Sequence, residues 1–354
     1  MARGSKQWWR VSKILMNKAC RKSSLPALRE NQSWIKEPSD KAELLREHFI
    51  LSWNDPSLVD NVYSVLPSSD FMADTLIPLR QRKLTKFLKE VDISSATSPD
   101  SLSSRVFKEL RCVLMVPLLI LCRSILQFRS RPTIWKKHWV FPLFKKKNPH
   151  DKRNYRGLHL TSQLSKIIER FFAGMFMPGI MSRNRFGGNQ FAYQDGVGAR
   201  DAVLYLLTSW ISLLSQGFRI GVYCSDVSGA FDKVNSQRLI ARLRACGIHP
   251  RLVDVMIDWL HGRSGQVIVE SCESNAFCLQ NMVFQGTTWG PRFWNIFLRE
   301  ALSVLRNMGY TEVGFADDLN AFRSLARSVS NSGPRARPTN YSKERINRGE
   351  LPMT

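Results

Sequence analysis

The sequence predicts an α+β fold in which an antiparallel sheet packs on helices. Apolar residues recur at helical spacing in several separate blocks. Between those blocks lie short alternating runs that read as strands. Two pairs of these runs, in 131–156 and around Asp317, are joined by short turns, as antiparallel strands are. With 354 residues and 44% hydrophobic content the chain can bury a sizeable core in two or three subdomains.

Residues 1–80 read as a basic, linker-like extension carrying helices, with Trp8, Trp9 and Trp34. Within it "SDKAELLREHF" predicts a helix, with Ser39 as N-cap and Ala42, Leu45 and Phe49 on one face. A second helix is expected over 82–91, then a loop at "SSATSPDSLS", then helix on both sides of Pro117 over 103–129. Residues 131–156 predict strand, basic turn, strand. They hold nine Lys or Arg against one acid, Asp151, with Trp135, Trp139, Phe141, Phe144 and Tyr155 interleaved. Such a mixture suits a nucleic-acid groove, where cations neutralise phosphates and rings stack on bases. A solvated turn is the blander reading.

"RIGVYCSDVSGAF" predicts a buried strand running into a turn. "NSQRLIARLRACG" predicts a helix capped by Asn235 and stopped by Gly247, and Pro250 opens the next, with Val253, Met256, Ile257 and Leu260 as its stripe. "GQVIVES" and "AFCLQNMVF" read as paired strands, and a further helix has an irregular start at Gly290 and Pro291. "TEVGF" and "LNAF" then form a hairpin around Asp317 and Asp318. Residues 324–354 are rich in Ser, Arg, Pro and Asn, and disorder is expected there.

The 52 Lys and Arg outnumber 29 Asp and Glu, giving a net charge of +23. That balance suggests a polyanionic partner, most often nucleic acid, although a solvated basic surface satisfies it equally. The seven scattered cysteines form no CxxC pair and read as thiols in a reducing compartment. The start "MARGSKQWWR" has no apolar segment of the secretory kind, and the apolar run at 113–121 is too short to span a bilayer. An intracellular location, nucleus or cytoplasm, without membrane association is expected.

Adjacent carboxylates at a turn are usually just solvated. Here a third, Asp226, ends a separate apolar strand about ninety residues before Asp317. If those strands are neighbours, three carboxylates converge on one sheet edge. Hard oxygen donors of this kind suit Mg²⁺, and two such ions roughly 4 Å apart serve phosphoryl transfer.

The surrounding motifs, in order over roughly 80–323, resemble the reverse transcriptases of non-LTR (LINE-type) retrotransposons. "SPDSL", "RPTIWKKHWVFPLFKKK", "NYRGLHLTSQLSKIIERFF" and "NQFAYQDGVGARDAVLYL" are similar to the family's blocks before its motif A. "SDVSGAFDKV" is similar to motif A, "FQGTTWGPRFWNIF" to motif B and "FADDLNAF" to motif C. The resemblance implies a right-hand fingers–palm core over 81–323 and RNA-directed DNA synthesis with two Mg²⁺ ions, Mn²⁺ being the substitute. RNA template, DNA primer and dNTPs are the implied partners.

It also implies roles. Asp226 and Asp317 are metal ligands, with Asp318 and the carbonyl of Val227 in support. Phe231, five residues after Asp226, is a bulky gate that leaves no room for a 2′-OH; a core aromatic is the blander reading. Arg156 packs over the incoming base. One or more of Lys145, Lys146 and Lys147 neutralises the triphosphate. Gln285 lines the nucleotide pocket, and Gly286 lets backbone approach the template–primer duplex. Lys136, Lys137 and Arg200 bind nucleic acid. Asp232 is read as structural, and Trp289, Phe293 and Trp294 as core.

Gly157 stands where the family usually has Pro, Val197 where Arg is usual, with Arg200 as the substitute, and Phe284 where Pro is usual. The family's endonuclease, motif D, primer grip and thumb find no counterpart, so a truncated chain is expected. The rival expectation is an inactive remnant that binds RNA or DNA.

Overall fold

The computed structural model describes residues 25–53, 79–96, 98–182, 189–194, 196–227 and 229–325. Trp8, Trp9 and the tail from 326 lie outside them. The first hairpin, β1 (Leu28–Glu30) and β2 (Ser33–Ile35), leads into α1 (Pro38–Trp53). The helix starts at Pro38, ahead of the expected cap at Ser39, because the fixed φ of proline suits a first turn. The Ser39 hydroxyl instead bonds the Asp40 carboxylate at 3.3 Å. Ala42, Leu45, Phe49 and Trp53 are buried along α1 and belong to the main hydrophobic cluster. Residues 25–53 therefore share one core with the region that follows 81.

Helices α2 (Gln81–Lys89), α3 (Ser104–Glu109) and α4 (Arg111–Phe128) come next. Pro117 lies inside α4. This helix is 18 residues long with mean hydropathy 1.7, so by length and composition alone it meets the requirement for a membrane span that the nine-residue run 113–121 does not. Its buried side carries Met115, Leu118, Cys122, Ile125 and Leu126, while Val113, Val116 and Phe128 are exposed.

The expected strand, basic turn and strand form as β3 (Lys137–Phe144) and β4 (Tyr155–Leu160), paired antiparallel. They join β6 (Arg263–Val269), β7 (Cys272–Glu273) and β8 (Phe277–Leu279) in a mixed sheet of order β4-β3-β6-β7, with β8 also on β6. β3 and β6 are parallel. Helix α5 (Gln163–Ser182) follows β4, and α6 (Ala199–Ser215) precedes the second sheet. Helix α7 (Ser236–Ala245) is capped by Asn235, whose side chain accepts from the Arg238 amide, and Pro250 opens α8 (Pro250–Leu260).

The second sheet is antiparallel, in the order β5 (Arg219–Asp226), β10 (Asp318–Leu325), β9 (Thr311–Phe315). Helix α9 (Gly290–Asn307) packs on β9. The observed architecture is thus α+β. β5 corrects the expectation of a buried strand: Val222, Tyr223 and Cys224 are exposed. Among the described strands β5 pairs only with β10, which leaves it at the sheet edge. β10 runs to Leu325, two residues past the boundary expected at 323.

Candidate active site

The turn between β9 and β10 is two residues long, because Phe315 pairs with Asp318 and leaves Ala316 and Asp317 between them. Ala316 takes φ +57°, a conformation a residue with a Cβ adopts at a cost. The Trp294 indole N–H, on α9, donates to its carbonyl at 2.8 Å and pins the turn. β10 also pairs with β5 in a register that sets Asp318 opposite Asp226. The Val227 amide donates to the Asp317 carbonyl at 3.1 Å, tying the two turns together.

Asp226, Val227, Asp317 and Asp318 therefore meet at one end of one sheet. The three carboxylates are exposed and, among the described residues, make no side-chain hydrogen bond or ion pair. Directly opposed like charges destabilise a strand pair unless something neutralises them. The donor set is all hard oxygen and open to solvent, which fits a divalent cation of the Mg²⁺ class. Among the described residues no three His, Cys, Asp or Glu side chains form a ready-made cage, so this corner offers ligands rather than a closed site.

Phe231 lies beyond Asp226 in a short 3₁₀ turn, Phe231–Lys233. It is half-buried and stacks on Trp294 at 6.0 Å, while its carbonyl accepts from the Val283 amide at 2.9 Å. The same Trp294 thus supports both the gate candidate and the carboxylate turn.

On the β3–β4 hairpin Leu143 pairs with Arg156, so their side chains share a face. Lys145 extends the ladder through its amide to the Asn154 carbonyl at 2.9 Å and falls on that same face, while Lys146 lies in the bend beyond the strand. Lys147 occupies the turn at φ +75°. Asp232 supports this reading. Burial pushes its carboxyl up to about 6, against the opposing pull of Lys145, a Trp53 hydrogen bond and Arg156. It bears on the β3–β4 hairpin cations Lys145 and Arg156 and on α1, in keeping with a structural role.

Gln285 and Gly286 sit against β4, where the His159 amide donates to the Gln285 carbonyl at 2.9 Å. Gly286 has φ +100°, and a Cβ there would lie 2.6 Å from the His159 carbonyl oxygen. The chain's own backbone already demands glycine, independently of any duplex. Lys136 departs from its expected part: its ammonium meets the Asp258 carboxylate at 2.6 Å, so its charge is largely neutralised within the protein. Lys137 and Arg200 are exposed, Arg200 in the first turn of α6. Trp289, Phe293 and Trp294 are buried, as read.

Sequence reasoning missed the polar hub beneath this region. Glu169, on α5, is buried and accepts from Arg131 at 3.2 Å, Ser165 at 2.9 Å, the Trp259 indole at 2.8 Å and the Thr288 amide at 3.0 Å. Beside it Arg263 donates to the His138 ring, and His138 meets His159 at 3.1 Å. Burial and then the Arg263 charge hold His159 down to about 3 and His138 well below its ordinary value, so both rings are neutral. Glu169 in "KIIERFF" carries no local signal of this role, since its partner Arg131 is remote in the chain.

Residues 144–330 match the reverse transcriptase (RNA-dependent DNA polymerase) family, a span covering more than half of the chain. The chain belongs to that family. It is 25% identical over 225 residues to a probable RNA-directed DNA polymerase from transposon BS of Drosophila melanogaster, covering 62% of this chain and 24% of that protein. It is 21% identical over 327 residues to the RNA-directed DNA polymerase from mobile element jockey of Drosophila funebris, covering 88% and 35%. The Drosophila melanogaster jockey protein is 22% identical over 296 residues, covering 82% and 32%. The chain thus spans about a quarter to a third of the length of these relatives. These matches support the non-LTR retrotransposon reading of the ordered motifs.

Proposed function

We propose that the chain is the polymerase core of a non-LTR retrotransposon reverse transcriptase, adding dNTPs to a primer 3′-OH on an RNA template. The three-stranded sheet serves as the palm and the β3–β4 hairpin as part of the fingers. The observation that carries the reading is the strand register that sets Asp318 against Asp226 and leaves Asp317 at the adjoining turn.

Asp226, Asp317 and Asp318, with the Val227 carbonyl, would hold the divalent ions. When bound, such ions supply charge stabilisation at the attacking and leaving oxygens of an in-line displacement. Lys145 and Arg156 share the hairpin face that bears on Asp232 and offset charge on the triphosphate. Phe231, fixed by its stack on Trp294, occupies the space a ribose 2′-OH needs. Gln285 is held by β4 to line the pocket, while Lys137 and Arg200 offer exposed cations to the template–primer phosphates. The basic excess of the chain fits an intracellular nucleic-acid partner.

Primer extension on an RNA template with Mg²⁺ and dNTPs tests this. The chain extends the primer and its Asp317→Ala variant does not. Equal extension by both refutes the assignment of the carboxylates. Salt-sensitive RNA binding by both without extension identifies a binding remnant instead.

A further inference from the structure

We propose that Tyr193 is a specificity-determining residue of this site, positioning Phe231 so that deoxyribose is preferred over ribose. The inference rests on the nucleotidyl-transfer reading above.

Tyr193 belongs to the short segment 189–194, which is fastened on two sides. On one side the segment extends the palm sheet: Gln190 bridges Gly314 of β9 in parallel, the Phe191 amide donates to the Gly314 carbonyl at 2.9 Å, and the Gly314 amide donates to the Asn189 carbonyl at 2.9 Å. On the other side the Asn295 side chain, on α9, donates to the Ala192 carbonyl at 2.9 Å. The Gln190 side chain accepts from the Ala192 amide at 3.0 Å and closes the bend. The next residue, Tyr193, is driven to φ +59°, a left-handed conformation uncommon for a bulky side chain. Strain of this kind persists only where the surroundings over-determine it.

That backbone delivers the Tyr193 ring to Phe231 in a T-shaped pair, with centroids 6.1 Å apart and planes at 84°. Phe231 has Trp294 stacked on its face at 6.0 Å and 21°. The gate ring is thus held between two aromatic neighbours, Trp294 stacked on it and Tyr193 roughly perpendicular to it. Tyr193 is itself 43% exposed, so its ring is not there to fill the core. Tyr193 therefore reaches the gate candidate from a segment that contributes none of the predicted metal ligands.

A ring held on only one side has more freedom to tilt, and a tilted Phe231 admits a 2′-OH. Removing the Tyr193 ring should relax sugar discrimination, whereas removing its hydroxyl alone should not.

The test measures the preference for dCTP over CTP on an RNA template–primer, as incorporation and as equilibrium affinity of the chain–template–primer complex. Tyr193→Ala and Tyr193→Leu lower the preference by roughly 3- to 10-fold, the range expected for one edge-to-face aromatic pair. Tyr193→Phe preserves it. Phe231→Ala lowers it at least as far, and Tyr193→Ala adds no further loss in the Phe231→Ala background, since it acts through that ring. Equal losses toward both nucleotides, with the preference intact in Tyr193→Ala and Tyr193→Leu but relaxed in Phe231→Ala, overturn the inference and leave the site reading standing. Multiplicative losses in the double variant overturn it as well. An unchanged preference in Phe231→Ala, or no binding of either nucleotide, overturns the gate reading and this inference together.

Discussion

Replacing Glu169 with Gln removes one negative charge from the buried hub and changes little else in shape. The Glu169 and Arg131 side chains are 1% and 2% exposed, and their ion pair measures 3.2 Å. One carboxylate oxygen accepts from Arg131, Ser165 and Trp259, and the other from the Thr288 amide. A glutamine supplies one acceptor oxygen and turns the other end into a donor that faces donors. Arg131 then keeps a buried charge without its nearest counter-charge. Breaking a buried pair from one side costs about 3–5 kcal/mol, against a total stability of about 5–15 kcal/mol for a typical domain. Equilibrium urea unfolding should show the midpoint falling by roughly 1 M or more with an unchanged slope. A loss under about 1 kcal/mol would refute the view that Glu169 organises this core.

Four further outcomes are expected. Stability should fall as the solution is acidified from pH 7 toward 5. His159 is protonated only near pH 3 when folded but near 6.5 when unfolded, so between these values the unfolded chain binds more protons. The slope is about 1.4 kcal/mol per pH unit for each such ring, and His159→Phe should flatten the pH dependence of the urea midpoint. The Asp232 carboxyl, raised to about 6, acts oppositely between its unfolded value and 6, so Asp232→Asn should steepen the acid loss. Gly286→Ala should cost roughly 2–4 kcal/mol in thermal unfolding, from left-handed strain and the His159 carbonyl clash together. In RNA-binding titrations Lys137→Ala should lower the salt slope by close to one unit, while Lys136→Ala, whose charge Asp258 already meets, should leave it nearly unchanged.

What could be read from the residues follows from how local each feature is. "TEVGF" alternates and "LNAF" returns after the Asp pair, so the hairpin was legible, although the turn falls on Ala316 and Asp317, one residue earlier than expected, with Asp318 already paired in β10. Asn235 and Pro250 mark helix starts by their own chemistry, and both sit where expected. That Asp226 faces Asp318 was legible only as a condition, because register between distant strands depends on the whole sheet. Exposure of β5 was hidden for a related reason: an apolar run shows that a strand is favoured, not how many neighbours it finds. The fate of Lys136 turned on Asp258, far along the chain, and composition treats a neutralised lysine and an available one alike. Tyr193 reads as one more loop aromatic until the bridge to Gly314 and the Asn295 contact fix where its ring goes.

On the proposed reading, the β5–β10 register gathers Asp226, Asp317 and Asp318 into a divalent-ion site. Counting bound Mn²⁺ by electron paramagnetic resonance, with template–primer and a non-hydrolysable dNTP analogue present, addresses it directly. Stoichiometric Mn²⁺ uptake by the chain is expected, and its loss in Asp226→Ala and Asp317→Ala, both still folded by circular dichroism. Equal uptake by the chain and both variants would contradict it.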